Sequence, residues 1–321
     1  MTPLLTVQNL RTYFFTSAGI VKSVDGVSFS IRPGGRLGIV GESGCGKSIT
    51  ALSLLRLVSP PGKIIDGRIL LSGVDLLGLP ESEMQKIRGS KIAMIFQEPM
   101  TSLNPLFTVS YQIEEAVILH QKMSKKERRE YILELLKLVG ISDPDRVARA
   151  YPHELSGGMR QRIMIAMALS CRPSLLIADE PTTALDVTIQ AQVLSLLMEL
   201  HDKFHMAFIL ITHDLGVIAE TVDEVAVMYA GKIVEQASTQ ELFSRPAHPY
   251  TKALLKALPS VQGEANRLGT IPGTVPDLAC LPRGCAFQSR CERVQKKCVE
   301  EDPLLNSCGP NHQVRCFYPY E

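Results

Sequence analysis

Eight consecutive residues, Gly41-Glu42-Ser43-Gly44-Cys45-Gly46-Lys47-Ser48, follow the pattern G-x-x-x-x-G-K-[ST] without a departure. Glycines at that spacing let backbone N–H groups turn inward around a chain of phosphates, and a lysine ammonium neutralises the outer ones. Ser48 carries the hydroxyl that can hold Mg²⁺, and Ile49 begins the helix that the loop opens. Further positions carry matching chemistry. Asp179 and Glu180 end an apolar run; the first can hold Mg²⁺ through water and the second can polarise a water for attack on a γ-phosphate. Gln97 ends another apolar run and can reach the metal or the attacking water. His213 follows a third run, one strand–helix unit after the acids, within reach of the same phosphate. Ser156, with Gly157 and Gly158, has the chemistry of a helix cap that admits an anion, which raises the prospect of a second phosphate-contacting surface. Of Tyr13, Phe14 and Phe15, we choose Phe14 to stack on a purine base, although each also suits a half-buried strand. Together these residue types would suit hydrolysis of a nucleoside triphosphate.

These residues need parallel strands to present them. Leu37–Val40 reads as a strand before the loop, and Ile49–Val58 as a helix after it. Leu175–Ala178 reads as a strand buried on both faces, with the acids at its C-terminal end, where α/β sheets place ligand groups. Leu5–Leu10 and Val24–Ile31 alternate as a β-ribbon, and Val225–Glu235 reads as a hairpin turning at Ala230-Gly231. Residues 111–140 read as helix, with a mostly helical insert from about 98 to 155, in a helical subdomain of about 98–170. From Arg245 onward prolines accumulate, and 246–284 is expected to be poorly regular. The expected organisation is therefore an α/β phosphate-loop ATPase core with an N-terminal antiparallel β subdomain over 1–245. A C-terminal extension follows over 246–321, with a Cys-rich segment at about 280–317.

The chain has 321 residues and a net charge of +1, so no global basic field argues for nucleic acid. Met1–Leu10 lacks a basic start followed by an apolar core, and no apolar run approaches the roughly 18 residues of a membrane span. The expected location is cytosolic, with any membrane reached through other subunits. Six of the 8 cysteines lie between Cys280 and Cys316, and clustering in a chain of this kind favours metal over disulfide.

The order of phosphate loop, Gln97, Leu155–Arg162, Asp179-Glu180, Ala184–Asp186 and His213 resembles the nucleotide-binding subunit of an ATP-binding cassette transporter. Within that superfamily, Glu98–Val109, His248-Pro249-Tyr250-Thr251, Ile271–Leu278 and the terminal cysteines resemble the dipeptide/oligopeptide importers. The resemblance implies an ATPase on the cytoplasmic face of the cell membrane that powers peptide import. It also implies a head-to-tail dimer with a second homologous ATPase subunit, two transmembrane permease subunits and an extracytoplasmic peptide-binding protein. Ser156, Gly157 and Gly158 would then contact the partner's ATP. Glu180 would be the general base, His213 would contact the γ-phosphate, Asp186 would link the two sites, and Gln97 with its following loop would couple to the permease. Related importers handle nickel chelates, glutathione or saccharides, and a soluble cassette ATPase without transport is the alternative of a different class.

Cys285, Cys291, Cys298 and Cys316, with gaps of five, six and seventeen residues, resemble the pattern of importer members associated with a four-iron four-sulfur cluster. The absence of C-x-x-C pairs makes the set less like a zinc ribbon. A zinc site recruiting His312, and unligated thiols or disulfides, stay open as alternatives. Cys280 and Cys308 are left over, and Cys45 and Cys171 are not candidate ligands.

Overall fold

The computed structural model describes residues 2–97, 102–183, 186–257 and 271–320. The described strands are, in chain order, β1 (Leu5–Thr16), β2 (Gly19–Ile31), β3 (Arg36–Val40), β4 (Gly62–Leu71), β5 (Val74–Asp75) and β6 (Ile92–Ile95). They continue with β7 (Leu175–Asp179), β8 (Ala207–Thr212), β9 (Glu224–Tyr229), β10 (Lys232–Ser238), β11 (Asn306–Gly309) and β12 (His312–Val314). The chain groups into two compact units. One is Met1–Arg32, Arg36–Leu77 and Leu210–Glu321, and the other is Pro33–Gly35 and Gly78–Ile209.

In the first unit, β2-β1-β4-β5 form an antiparallel sheet. The ribbon expected over two short runs extends from Leu5 to Ile31, with Leu5, Val7, Leu10 and Thr12 turned inward. Its register shifts around Asn9, whose φ of 48° places it in the left-handed region. A second sheet in this unit runs β11-β12-β10-β9-β3. Here β3 lies parallel to β9, with Leu37 opposite Glu224 and Val40 opposite Val227, and every residue of β3 after Arg36 is buried. The β9–β10 hairpin turns at Ala230 (φ 46°) and Gly231 (φ 81°), the positive pair that suits the twist of a two-residue turn.

The stretch expected to be helical over 111–140 divides into two helices, Val109–His120 and Lys125–Leu138. Ser124 breaks it with a reciprocal cap: its Oγ accepts from the Glu127 N–H, and the Glu127 carboxylate accepts from the Ser124 N–H at 2.7 Å. The segment expected to be irregular after 246 contains the helix Pro249–Lys256. Proline is favoured in the first helical turn, where its missing N–H would have no partner, and His248 caps the end by accepting from the Tyr250 N–H at 3.0 Å.

In the second unit β6 runs parallel to β7, with Ile92 opposite Leu175 and Ile95 opposite Ala178. β7 is buried along its length, as its unbroken apolar pattern requires. The helices Glu81–Ile87, Pro144–Arg149, Gly157–Leu169 and Val187–Phe204 belong to this unit together with the pair divided by Ser124. Among the described residues no helix is long and apolar enough to cross a membrane.

Candidate active site

In the first unit β3 runs into the loop Gly41–Gly46, and the loop runs into the helix Lys47–Leu54. Two glycines are required by close approach. A Cβ on Gly41 (φ 154°) would stand 2.2 Å from the Met228 carbonyl oxygen, and one on Gly46 (φ 106°) would stand 2.1 Å from that of Ser23. The loop is thus clasped between β9 and β2. Gly44 (φ 77°) faces open space, and Ser43 beside it is exposed. Lys47 is buried, and its Nζ donates to the carbonyls of Gly41 at 2.8 Å and Glu42 at 3.0 Å. Ser48 and Ile49 are half-buried on the first helical turn. Cys45 is fully buried; burial pushes its thiol up, and its carbonyl accepts from the Gly231 N–H at 2.9 Å. A buried ammonium and the N–H groups of a new helix here converge on one loop, which is the electrostatics of a phosphate site.

The same unit carries Phe14 and His213. Phe14 is half-buried on β1 with its ring over Gly62, where an added Cβ would lie 2.7 Å from a ring carbon. Phe15 is 45% exposed, whereas the Tyr13 hydroxyl donates to Asp25 Oδ1 at 2.7 Å. Burial and that hydrogen bond push the Tyr13 phenol up to about 12. His213 is exposed at the end of β8, and Asp214 after it caps the helix Leu215–Thr221 by accepting from Gly216 and Val217 N–H groups.

The second unit brings Gln97 and Glu180 together. The β6–β7 register is in phase, so the residues two beyond Ile95 and Ala178 meet: Gln97 Nε2 donates to Glu180 Oε2 at 3.0 Å. Thr183 Oγ1 donates to the same oxygen at 2.9 Å, and the Thr183 N–H donates to the Glu180 carbonyl at 3.2 Å. Glu180 is held at φ 45°, a left-handed conformation costly for a residue with a side chain, while Asp179 before it is 3% exposed. Ser156 Oγ caps the helix Gly157–Leu169 by accepting from the Met159 N–H at 3.4 Å, and Gly157 is exposed at its start. Asp186 caps Val187–Phe204 by accepting from the Ile189 N–H at 2.9 Å, and the Ile189 side chain packs where a Cβ on Gly158 would reach, 3.0 Å away. The cap at Ser156 and the cap at Asp186 are therefore neighbours. Ala184 and Leu185, and Glu98 to Thr101 of the loop after Gln97, lie outside the described residues.

Cys285, Cys291, Cys298 and Cys316 line one cavity with Phe287 and Phe317. Burial and the neighbouring thiols push Cys285 up to about 11, and burial raises Cys291 and Cys316. Among the described residues no group of three or more His, Cys, Asp or Glu stands close enough to hold a metal ion. His312, expected as a zinc ligand in one reading, is instead committed to Glu235, its Nε2 lying 2.8 Å from Oε1 of that fully buried carboxylate. Cys280 and Cys308 are exposed outside this cavity. The contacts that residue types alone did not signal are those of Glu42. Its carboxylate pairs with Arg290 and its N–H donates to the Tyr250 hydroxyl. Tyr250 sits in the His248–Thr251 motif, whereas nothing near Arg290 in the chain points to the loop.

Comparison with known proteins comes from sequence and from structure. The pattern of the family described as "ABC transporter" matches residues 24–183, and that described as "Oligopeptide/dipeptide transporter, C-terminal region" matches 234–298. The oligopeptide transport ATP-binding protein AppD of Bacillus subtilis is 53% identical over 318 residues, 99% of this chain and 97% of that protein. The dipeptide transport ATP-binding protein DppD of Escherichia coli is 47% identical with the same coverage. Among solved structures, the dimeric post-hydrolysis state of the ATP-binding cassette MJ0796 bound to ADP and Pi superposes with a TM-score of 0.66. It is 29% identical and covers 73% of this chain and 98% of its own.

Proposed function

The chain belongs to the ABC transporter family and carries the C-terminal region of its oligopeptide/dipeptide branch, and from that premise we propose that it hydrolyses ATP to power import of short peptides across the cell membrane. The observation that carries this reading is the near-complete coverage of peptide-transport relatives by a chain whose Gly41–Ser48 loop has the geometry of a phosphate site. ATP is then the substrate of the loop. Lys47 exchanges its carbonyl partners for the outer phosphates, and Phe14 stacks on the base. Ser48 and Asp179 would hold Mg²⁺, which when bound neutralises the β- and γ-phosphate oxygens. Glu180 accepts the proton of the attacking water. Its two hydrogen bonds from Gln97 and Thr183 converge on Oε2 and orient the carboxylate. His213 contacts the γ-phosphate.

The assembly follows from the same reading. A second, homologous ATPase subunit binds head-to-tail, and the exposed start of Gly157–Leu169, with Ser156 and Gly158, meets that partner's ATP. Asp186, neighbour of that cap through Ile189, links the two sites. Two transmembrane permease subunits dock on the loop after Gln97 and the helical part, where Leu106, Tyr111, Ile118 and Leu119 are exposed. An extracytoplasmic binding protein delivers the peptide, and the chain lies on the cytoplasmic face.

We infer a four-iron four-sulfur cluster at the four cysteines: their spacing resembles that of cluster-bearing importers, the four line one cavity, and His312, the residue a zinc site would recruit, is taken by Glu235. Cys285, Cys291, Cys298 and Cys316 would hold it, and its contribution would be to clamp a segment too short to build its own core.

The test of function is peptide uptake. Proteoliposomes containing this chain with its permease and second ATPase should accumulate labelled peptide only with ATP and peptide-loaded binding protein. Purification from native membranes without an integral membrane partner overturns the reading.

A further inference from the structure

Glu42 is a variable position of the phosphate loop, yet both its backbone and its side chain are tied to the C-terminal third of the chain. Its N–H donates to the hydroxyl of fully buried Tyr250 at 2.9 Å. Its carboxylate takes two parallel bonds from Arg290, Nη1 to Oε2 at 2.6 Å and Nη2 to Oε1 at 2.9 Å, across 248 positions of sequence. The Arg290 side chain is 3% exposed. Its Nε donates to the Pro272 carbonyl at 2.9 Å, Nη2 also to that of Ile271 at 3.4 Å, and Nη1 also to the Tyr229 hydroxyl at 3.4 Å. The Tyr229 and Phe287 rings lie with their centroids 5.8 and 5.9 Å from the guanidinium carbon. A cation so enclosed is costly without its carboxylate, so the fork-to-fork pair is strongly held in one geometry.

That geometry reaches the chemistry through Lys47. The Glu42 carbonyl is one of the two that hold the Lys47 ammonium, so the orientation of Glu42 bears directly on where that ammonium rests. We propose that Arg290, with Tyr250, is a positioning residue of the nucleotide site, so that the C-terminal region is part of the machinery that shapes the phosphate loop. The proposal rests on the reading of Gly41–Ser48 as the ATP loop. Arg290 touches no reacting atom. It sets the loop in the conformation whose N–H groups and lysine meet the phosphates, and its loss is felt as weaker nucleotide binding rather than slower chemistry.

The experiment is calorimetric titration of the full-length chain with MgADP, beside ATPase kinetics of the assembled transporter. Arg290→Met and Glu42→Gln should each weaken binding about tenfold, and the double variant should be no worse than the weaker-binding single, because both act through one contact. Arg290→Lys, which keeps the charge but loses the planar fork, should fall between. In the transporter, KM for ATP should rise while kcat stays within about twofold. Wild-type affinity in folded Arg290→Met and Glu42→Gln chains overturns the proposal. So does a fall of kcat in step with the thermal midpoint at unchanged KM, which marks a merely structural pair. Should Arg290→Met fail to fold, Glu42→Gln decides, because that carboxylate is 28% exposed and its amide keeps the shape. A wild-type chain that binds no MgADP overturns the underlying ATP-loop reading instead.

Discussion

Glu180 stands at the end of an all-buried strand in a left-handed conformation, and a side chain rarely persists there without being over-determined by its surroundings. Gln97 and Thr183 provide that: both donate to the same carboxylate oxygen, so the second oxygen's direction is settled by the first. Glu180→Gln keeps the shape but removes the basicity. In the assembled transporter it should cut ATP turnover by roughly a hundredfold or more while nucleotide still binds. Turnover at the wild-type rate would remove Glu180 from the role of general base. The position of this carboxylate, just after a strand buried along its length, was legible in the sequence as an acid ending an unbroken apolar run. Its contact with Gln97 was not, since that depends on the phase of two strands 83 positions apart.

At the scale of elements, the recurring device is a short polar residue that satisfies the orphan N–H groups at a helix start. Ser124, Ser156, Asp186, Asp214 and Ser238 each accept from the first turn of the helix that follows. Strand ends are pinned differently. Asp223, just before β9, accepts from Arg36 Nη2 at 2.8 Å and from the Arg36 N–H at 3.3 Å, and Arg32 lies 3.4 Å away. Burial pushes its carboxyl up, but the hydrogen bonds and charge of Arg36, with Arg32, outweigh it and hold the group below the ordinary carboxylate range. A folded-state pKa below the unfolded one means that the unfolded chain binds the extra proton. The stabilisation is therefore complete above about pH 4 and is lost as the pH falls through the folded value. Asp223→Asn should lower stability at pH 7 by about 1 kcal/mol, a figure discounted for solvent screening of a carboxylate this exposed. The deficit should shrink towards pH 3, as read from thermal midpoints at the two pH values; an equal deficit at both would contradict the assignment.

For the whole molecule, the C-terminal residues described fall in the same compact unit as the phosphate loop. The route is visible in β12, which pairs with β10 and extends the sheet that contains β3, and in the Lys22 N–H, which donates to the Leu278 carbonyl at 3.2 Å. Fully buried Glu235 on β10 gathers the Ala247 and His248 N–H groups and the His312 ring into one knot. A cluster held by Cys285, Cys291, Cys298 and Cys316 would add a further tie within this region. Chain purified without oxygen should contain about four irons and four acid-labile sulfides, with broad absorption near roughly 400 nm. Replacing Cys291 or Cys316 with serine should remove both metal and colour. Stoichiometric zinc, or no metal, would eliminate the cluster while leaving the ATPase assignment intact.

The sequence by itself determined the phosphate loop, the acids at the end of β7, the cap at Ser156 and the hairpin turn, because each depends on neighbours within a few positions and on one backbone requirement. A run of glycines before a lysine and serine has little latitude in what it can form. The helix break at Ser124 and the helix start at Pro249 were also locally encoded, and were obscured by a long apolar periodicity and by a high proline count. Only the tertiary structure decided that Gln97 meets Glu180 and that Arg290 reaches the loop. Such pairings are side-chain contacts between segments far apart in the chain. Their register is set by how whole sheets and helices pack, and no local periodicity carries that information.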